Sequence, residues 1–257
     1  MKIELQHIKA VVFDLDGTLF VGKTPIDGAK EKLEELRRKG KQIIFLTNAG
    51  TRSRKGVAEK LNAMGFEANE KEVYTSSYLL AKYVTTKYKK KKVFVVGEQG
   101  IIDELKLVGV EFSEEDADIV VGGLDRKFTY EKLAKALILL DGGAELIGTN
   151  GDSTYPTEHG LMPGAGSVIA AIECASGKKA HLIGKPNICA IEIIEKEHGV
   201  NRNEILVVGD RLNTDIKFAK ACEVKSALVL TGVSRKKDIK EIKPDYILKS
   251  IVELCVS

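Results

Sequence analysis

The 257-residue sequence is sparing with cysteine and histidine, four of each, and neither type falls into a ligand pattern. Cys174, Cys189, Cys222 and Cys255 lie far apart and form no CxxC, which excludes a zinc knuckle or a dithiol redox motif; they read as reduced core thiols. His7, His159, His181 and His198 lack the spacing of metal ligands on one helix and read as structural or surface residues. No run of about eighteen apolar residues occurs, so no transmembrane helix and no membrane partner are expected. The opening "MKIELQHIKA" is too charged for a signal peptide, and the cytoplasm is the expected location. An excess of one charge is also missing. With 40 Lys and Arg against 37 Asp and Glu the formal net charge is +3, too little to predict a nucleic-acid partner. No fixed-period repeat is visible, which excludes a solenoid.

What is present is the composition of a soluble globular protein, 44% hydrophobic and 30% charged. At roughly 100–200 residues per domain the chain makes one large domain or two ordinary ones. Short apolar runs recur, each closed by Gly, Asp, Thr or Asn and followed by a helix-period stretch: "AVVFDLD", "QIIFLTN", "KVFVVGE", "DIVVGGLD", "ILVVGD". This alternation is that of parallel α/β units. In "AKEKLEELRRKG" Leu33 and Leu36 share one face and Gly40 is placed to stop the helix; Gly65 does the same after "TRSRKGVAEKLNAM". "KYKKKK" at 87–92 reads as a solvated turn with "EFSEEDAD" as its acidic counterpart. "GTNGDSTYPTEHGLMPGAGS" is a long loop by composition. "PGAGSVIAA" has Ile169 where a dinucleotide fingerprint needs a small residue, and reads as a closely packed helix start.

In open α/β sheets ligands sit beyond the carboxyl ends of the strands. The residues that follow the apolar runs are Asp14 and Asp16, Thr47 and Asn48, Lys185, and Asp210 with Asp215. Carboxylates gathered so closely repel unless a cation neutralises them or a proton is shared. Oxygen-only donors favour Mg²⁺ over zinc or copper, and a lysine and a threonine hydroxyl beside it suit a phosphate. Phosphate monoester hydrolysis needs accelerations of up to ~10²¹, whereas one general acid or base supplies about 10²–10⁴. A covalent aspartyl-phosphate divides the step, with one carboxylate as nucleophile and its neighbour as acid and then base.

"DLDGTL", "FLTNAG", "IGKPN" and "VVGDRLNTDI" resemble, in form and order, the four motifs of the haloacid dehalogenase superfamily of phosphohydrolases. The stretch leading into the third is similar to that of the p-nitrophenyl-phosphatase-like (NagD-type) branch. The resemblance implies a Rossmann-like doubly wound parallel sheet core at 1–78 and 180–257, with an α/β cap inserted at 79–179. It implies a Mg²⁺-dependent phosphatase acting on a small phosphomonoester such as a sugar phosphate, phosphoglycolate or p-nitrophenyl phosphate. Asp14 would be the nucleophile and Asp16 the general acid and base. Asp14, the Asp16 backbone carbonyl and Asp210 would hold Mg²⁺, and Thr47, the Asn48 backbone and Lys185 the phosphoryl group. Asp215 would orient Lys185 or a metal-bound water. Ala49 stands where this branch often has Asn. The cap would contribute specificity through the loop around Asn150, Asp152, Tyr155 and His159, and could pair copies into a homo-oligomer. Two rival readings share the residues: a receiver-like phosphoacceptor module, which needs only about half this chain, and a catalytically silent binding protein on the same fold.

Overall fold

The computed structural model describes residues 6–89, 91–157 and 160–255. Two compact units emerge, one of Met1–Thr47, Val57–Tyr74 and Lys185–Ser257 and the other of Asn48–Gly56 and Thr75–Gly184. The chain therefore changes unit after Thr47, Gly56, Tyr74 and Gly184, whereas the boundaries that the resemblance implies fall at 78/79 and 179/180. All five apolar runs become strands.

The first unit is built on a six-stranded sheet in the order Tyr246–Leu248, Lys225–Val229, Ile205–Gly209, Ala10–Phe13, Gln42–Thr47, Val73–Thr75. Its central strand, Ala10–Phe13, is buried throughout and pairs in parallel on both sides, Phe13 lying opposite Phe45 and Val208. A strand covered on both faces reads as an unbroken apolar run, and "AVVF" is one. Alternation along the strand turns Val11 and Phe13 to one face. There they share a core with Leu33 and Leu36 of the helix Ala29–Arg38 and with Val57 and Leu61 of the following helix. Gly40 and Gly65 take the left-handed conformation just beyond these two helices, with φ of 75° and 83°, which allows the turn where the sequence places it.

The second unit carries a five-stranded parallel sheet in the order His181–Leu182, Glu145–Gly148, Ile119–Gly122, Lys92–Val96, Glu111–Phe112. Phe94, Val120 and Leu146 form a core with Leu139 and Leu140 of the helix Tyr130–Asp141 and with Val168 and Ile172 of the helix Ala165–Ser176. Thr129 caps the first of these, its hydroxyl accepting from the Lys132 N–H, as expected of a threonine at that position. The second starts directly after Gly164, so "PGAGSVIAA" is a helix entrance. The basic and acidic runs meet: Lys91 bonds Asp118 at 2.9 Å and Lys92 bonds Asp116 at 2.5 Å. Lys90 lies outside the described residues.

The reading of four core thiols needs correction. Only Cys222 is buried; Cys189 is half-buried, and Cys174 and Cys255 are exposed. Cys174 falls outside the buried stripe Ala165, Val168, Ile169, Ile172 of its helix, and Cys255 follows the last helical turn. No helix of the described residues is long and apolar enough to cross a membrane.

Candidate active site

Because the sheet of the first unit is parallel, the ends of its neighbouring strands lie along one edge. Asp14 follows Phe13 and its N–H bonds the Val208 carbonyl at 2.9 Å. Thr47 ends the strand on one side, and Asp210 follows Gly209 at the end of the strand on the other. Lys185 enters from the third motif and is buried, with 3% of its surface exposed. Its ammonium donates to Asp14 Oδ1 at 2.6 Å, to Asp215 Oδ1 at 2.6 Å and to the Leu46 carbonyl at 3.1 Å. A buried cation is tolerable only when paired and hydrogen-bonded in this way.

Asp215 is fixed from both sides. Its Oδ2 accepts from the Arg211 N–H at 3.0 Å, its own N–H bonds the Arg211 carbonyl at 3.0 Å, and the turn Leu212–Ile216 that carries it is a single π-helical one. Asp210 is treated differently. Its Oδ2 accepts from the Val233 N–H at 2.6 Å, while its Oδ1 is buried without a hydrogen-bond partner among the described residues. Such an orphaned carboxylate oxygen is costly unless a ligand completes it. Asp14, Asp210 and Asp215 each present an oxygen within 4.8 Å of the others.

Glycines make room for this cluster. A Cβ on Gly17 would meet Asp210 Oδ2 at 2.6 Å, one on Gly232 would overlap the same carboxylate, and one on Gly209 would overlap Asp215. Gly17 also has φ of 84°, a conformation other residues rarely adopt. The Thr231 hydroxyl fastens this turn by donating to the Gly17 carbonyl at 2.6 Å.

Burial pushes the Asp14 carboxyl up to about 8; Lys185 opposes the rise, and the charges of Asp215 and Asp210 add to it. Burial likewise raises Asp210 to about 6, with Asp215 contributing. For Lys185 burial works against the charge, and Asp14 and Asp215 outweigh it, so the ammonium is held above its ordinary value. The cluster is short of positive charge, and its donor set is all oxygen. Both properties fit a divalent cation such as Mg²⁺.

Leu15 is more than a spacer. It is buried, and its carbonyl accepts from the Leu19 N–H at 2.8 Å and the Thr18 N–H at 3.2 Å. The chain thus turns between a partly buried Asp14 and an exposed Asp16. Desolvation by the packing around Asp16 raises its carboxyl, while Lys60 and Arg211 pull it down.

Asn48 falls in the second unit. Its amide donates to Asp152 Oδ2 at 3.0 Å and its carbonyl accepts from Ser76 Oγ at 2.7 Å and Asn150 Nδ2 at 2.8 Å. Of the loop residues named for specificity, His159 lies outside the described residues. The segment Thr231–Ser234 is absent from the motif reading, although it positions both Gly17 and Asp210; the unremarked apolar run "SALVL" ending in Thr-Gly was its signal.

A model of the haloacid dehalogenase-like hydrolases matches residues 11–111, and a second, HAD-hydrolase-like model matches residues 182–254. The sugar-phosphatase AraL of Bacillus subtilis is 38% identical over 95% of this chain and 91% of its own. The chain belongs to the haloacid dehalogenase-like hydrolases. Within that family it falls in the p-nitrophenyl-phosphatase-like branch. The crystal structure of a 4-nitrophenylphosphatase from Thermotoga maritima superposes with a TM-score of 0.94 at 36% identity, covering 97% of each chain. The structure of a glycerol phosphate phosphatase from Mycobacterium tuberculosis in complex with magnesium gives 0.92 at 33% identity, covering 99% of this chain and 78% of that one. The two matched segments of this hydrolase contain Asp14, Asp16 and Thr47 in one and Lys185, Asp210 and Asp215 in the other. Likeness over almost the full length leaves no place for a receiver module of half the size.

Proposed function

We propose that the chain is a Mg²⁺-dependent phosphatase that hydrolyses a small phosphomonoester through a phosphoryl group carried on Asp14. The observation that carries the reading is the Lys185 ammonium held between Asp14 and Asp215, beside the orphaned Oδ1 of Asp210. Asp14 and Asp210, with the backbone carbonyl of Asp16, would hold the metal. When bound, Mg²⁺ supplies the positive charge that offsets the clustered carboxylates and the phosphate oxygens.

Lys185 fixes Asp14 by one carboxylate oxygen and leaves the other to attack phosphorus in line with the departing alcohol. The bond from phosphorus to the ester oxygen breaks as the new bond to Asp14 forms. Asp16 gives its proton to the leaving oxygen. In the second half Asp16 takes a proton from water, water oxygen attacks the phosphorus, and the bond to Asp14 breaks to release inorganic phosphate. Thr47, with the backbone of Asn48 directly after it, would supply hydrogen bonds to the phosphoryl oxygens, and Lys185 would supply positive charge beside them, that charge being spread in such a transition state. Asp215 keeps Lys185 in place.

Relatives bearing sugar-phosphatase, 4-nitrophenylphosphatase and glycerol phosphate phosphatase names support a small phosphorylated metabolite as substrate. Pairing of two copies through the second unit and a cytoplasmic location belong to the same reading; light scattering tests the pairing. The activity is tested by release of p-nitrophenol with Mg²⁺ and with chelator. Hydrolysis that needs the metal supports the reading, and no hydrolysis under either condition overturns it.

A further inference from the structure

Two of the ligands proposed for Mg²⁺ sit on separate turns, the Asp16 carbonyl beyond the strand Ala10–Phe13 and the Asp210 carboxylate beyond the strand Ile205–Gly209. A cation needs both at once, so one turn must be kept in register with the other. The segment Thr231–Arg235, which follows the strand Lys225–Val229, is bonded to both. On one side the Thr231 hydroxyl donates to the Gly17 carbonyl at 2.6 Å. On the other the Val233 N–H donates to Asp210 Oδ2 at 2.6 Å, the Ser234 N–H donates to the Asp210 carbonyl at 3.1 Å, and the Ser234 hydroxyl accepts from the Leu212 N–H at 3.1 Å. Arg235 Nη1 closes the segment on itself with a bond of 2.8 Å to the Gly232 carbonyl.

The two sides are gripped unequally. Among the described residues, three hydrogen bonds tie the segment to the turn of Asp210 and one, from Thr231, ties it to Gly17. The Asp16 carbonyl shares its peptide with the Gly17 N–H, which bonds the Phe20 carbonyl at 2.7 Å. Carbonyl and N–H point in opposite directions across a trans peptide, so the way Gly17 is held sets the direction of the Asp16 carbonyl. Glycine has the most backbone freedom to lose, and Gly17 sits at φ of 84°. Phe20 fixes its N–H and Thr231 fixes its carbonyl, which pins the peptides on both sides of it. A side chain at position 17 could not take over this task, because its Cβ would lie 2.6 Å from Asp210 Oδ2 and 3.0 Å from Gly232 Cα. The same segment decides which oxygen Asp210 offers: Val233 occupies Oδ2, and Oδ1 is the one left for a cation.

We propose that Thr231 is a positioning residue for the metal, its hydroxyl holding the Gly17 turn so that the Asp16 carbonyl and Asp210 Oδ1 are presented together. This rests on the phosphatase reading and adds to it a residue outside the four motifs. Partners that orient metal ligands are worth about 10–100-fold in metal affinity.

Thermal melts over a series of Mg²⁺ concentrations give both the Tm of the metal-free protein and the Kd for the ion. The wild type, Thr231→Val, Thr231→Ala and Thr231→Ser are measured, with Ser226→Ala as the control. Ser226 lies near the opposite end of the strand that leads into the segment, is fully buried and donates to Asp245 Oδ2 at 2.6 Å, so its truncation removes a buried hydroxyl bond without touching either turn. Thr231→Val and Thr231→Ala are expected to raise the Kd for Mg²⁺ about tenfold or more, and to raise in step the Mg²⁺ needed for half-maximal hydrolysis of p-nitrophenyl phosphate. Thr231→Ser, which keeps the hydroxyl, stays close to the wild type, and Ser226→Ala lowers Tm with an unchanged Kd. Two truncations of Thr231 keep the test open if one of them does not fold. An unchanged Kd in a folded Thr231→Val or Thr231→Ala protein, however far its Tm falls, makes Thr231 structural only and overturns the inference. A Thr231→Ser protein that binds as weakly as Thr231→Val, or an equal weakening in Ser226→Ala, overturns it as well. All three results leave the phosphatase reading standing while the wild type hydrolyses p-nitrophenyl phosphate with Mg²⁺; a wild type that neither binds Mg²⁺ nor hydrolyses the ester overturns both.

Discussion

Two acid clusters beside lysines are handled in opposite ways by this protein. In the second unit Asp116 and Asp118 face Lys92 and Lys91, and each carboxyl is held below its ordinary value. For Asp116 the bond from Lys92 contributes most, and for Asp118 the backbone N–H of Lys92, followed by Lys91. In the first unit Asp14 and Asp210 are raised by burial despite Lys185, and one oxygen of Asp210 has no partner among the described residues. The exposed cluster is complete in itself, and screening by water makes it worth little. The buried one is balanced only when something of opposite charge enters. An acid cluster that the fold leaves unsatisfied is the one to suspect of chemistry.

The sharpest way to break the contrast is to remove Asp14. Asp14→Asn is expected to lower kcat by a factor on the order of 10⁴–10⁶, as loss of a nucleophile does elsewhere, with an unchanged circular dichroism spectrum. Retained Mg²⁺-dependent turnover would sink its role. Lys185→Met comes next. It strips the buried Asp215 and the partly buried Asp14 of their shared cation, and breaking a buried pair costs about 3–5 kcal/mol. A clear fall in Tm by calorimetry is expected, and an unaltered Tm would mean the cluster is less dependent on Lys185 than its bonds imply.

Mg²⁺ should stabilise the wild type by about 2.7 kcal/mol at a hundredfold excess over Kd. Thermal melts with and without the ion read this, and Asp210→Asn should abolish the shift. A shift that survives would place the cation elsewhere. The smallest effect belongs to the exposed cluster. Asp118→Asn should cost less than about 1 kcal/mol and leave Mg²⁺ stabilisation unchanged. Because the Asp118 carboxyl is depressed on folding, its contribution is present above the ordinary carboxylate range and is lost as pH falls through its folded value. The difference between wild type and Asp118→Asn should therefore narrow in acid denaturation curves below about pH 4; a difference that widens there would contradict the sign.

Much of this was legible in the sequence because local pattern and tertiary role coincide. "AVVF" and "ILVVG" are strands buried on both faces, and the residue after each is a site carboxylate. Lys185 could be named from its motif, but its ties to Asp14 and Asp215, 171 and 30 residues away, are properties of the fold. The loop at Thr231–Ser234 escaped notice because it acts through backbone groups and through the absence of a Cβ on Gly232, which no side-chain inventory detects. The second motif sets Asn48 beside Thr47; the change of unit between them is a property of the fold that the motif does not carry. Cys174 shows the limit of burial habits, since the face of a helix decides exposure more than residue type does.

The central claim is that the strand-end cluster of the first unit transfers a phosphoryl group to Asp14. Acid quenching during turnover of p-nitrophenyl phosphate with Mg²⁺, followed by mass spectrometry of the peptide containing Asp14, tests it most directly. The account predicts a phosphoryl group on Asp14 that appears and decays with turnover and is missing in Asp14→Asn. Full turnover with Asp14 never modified, or a phosphoryl group on another residue, would contradict it.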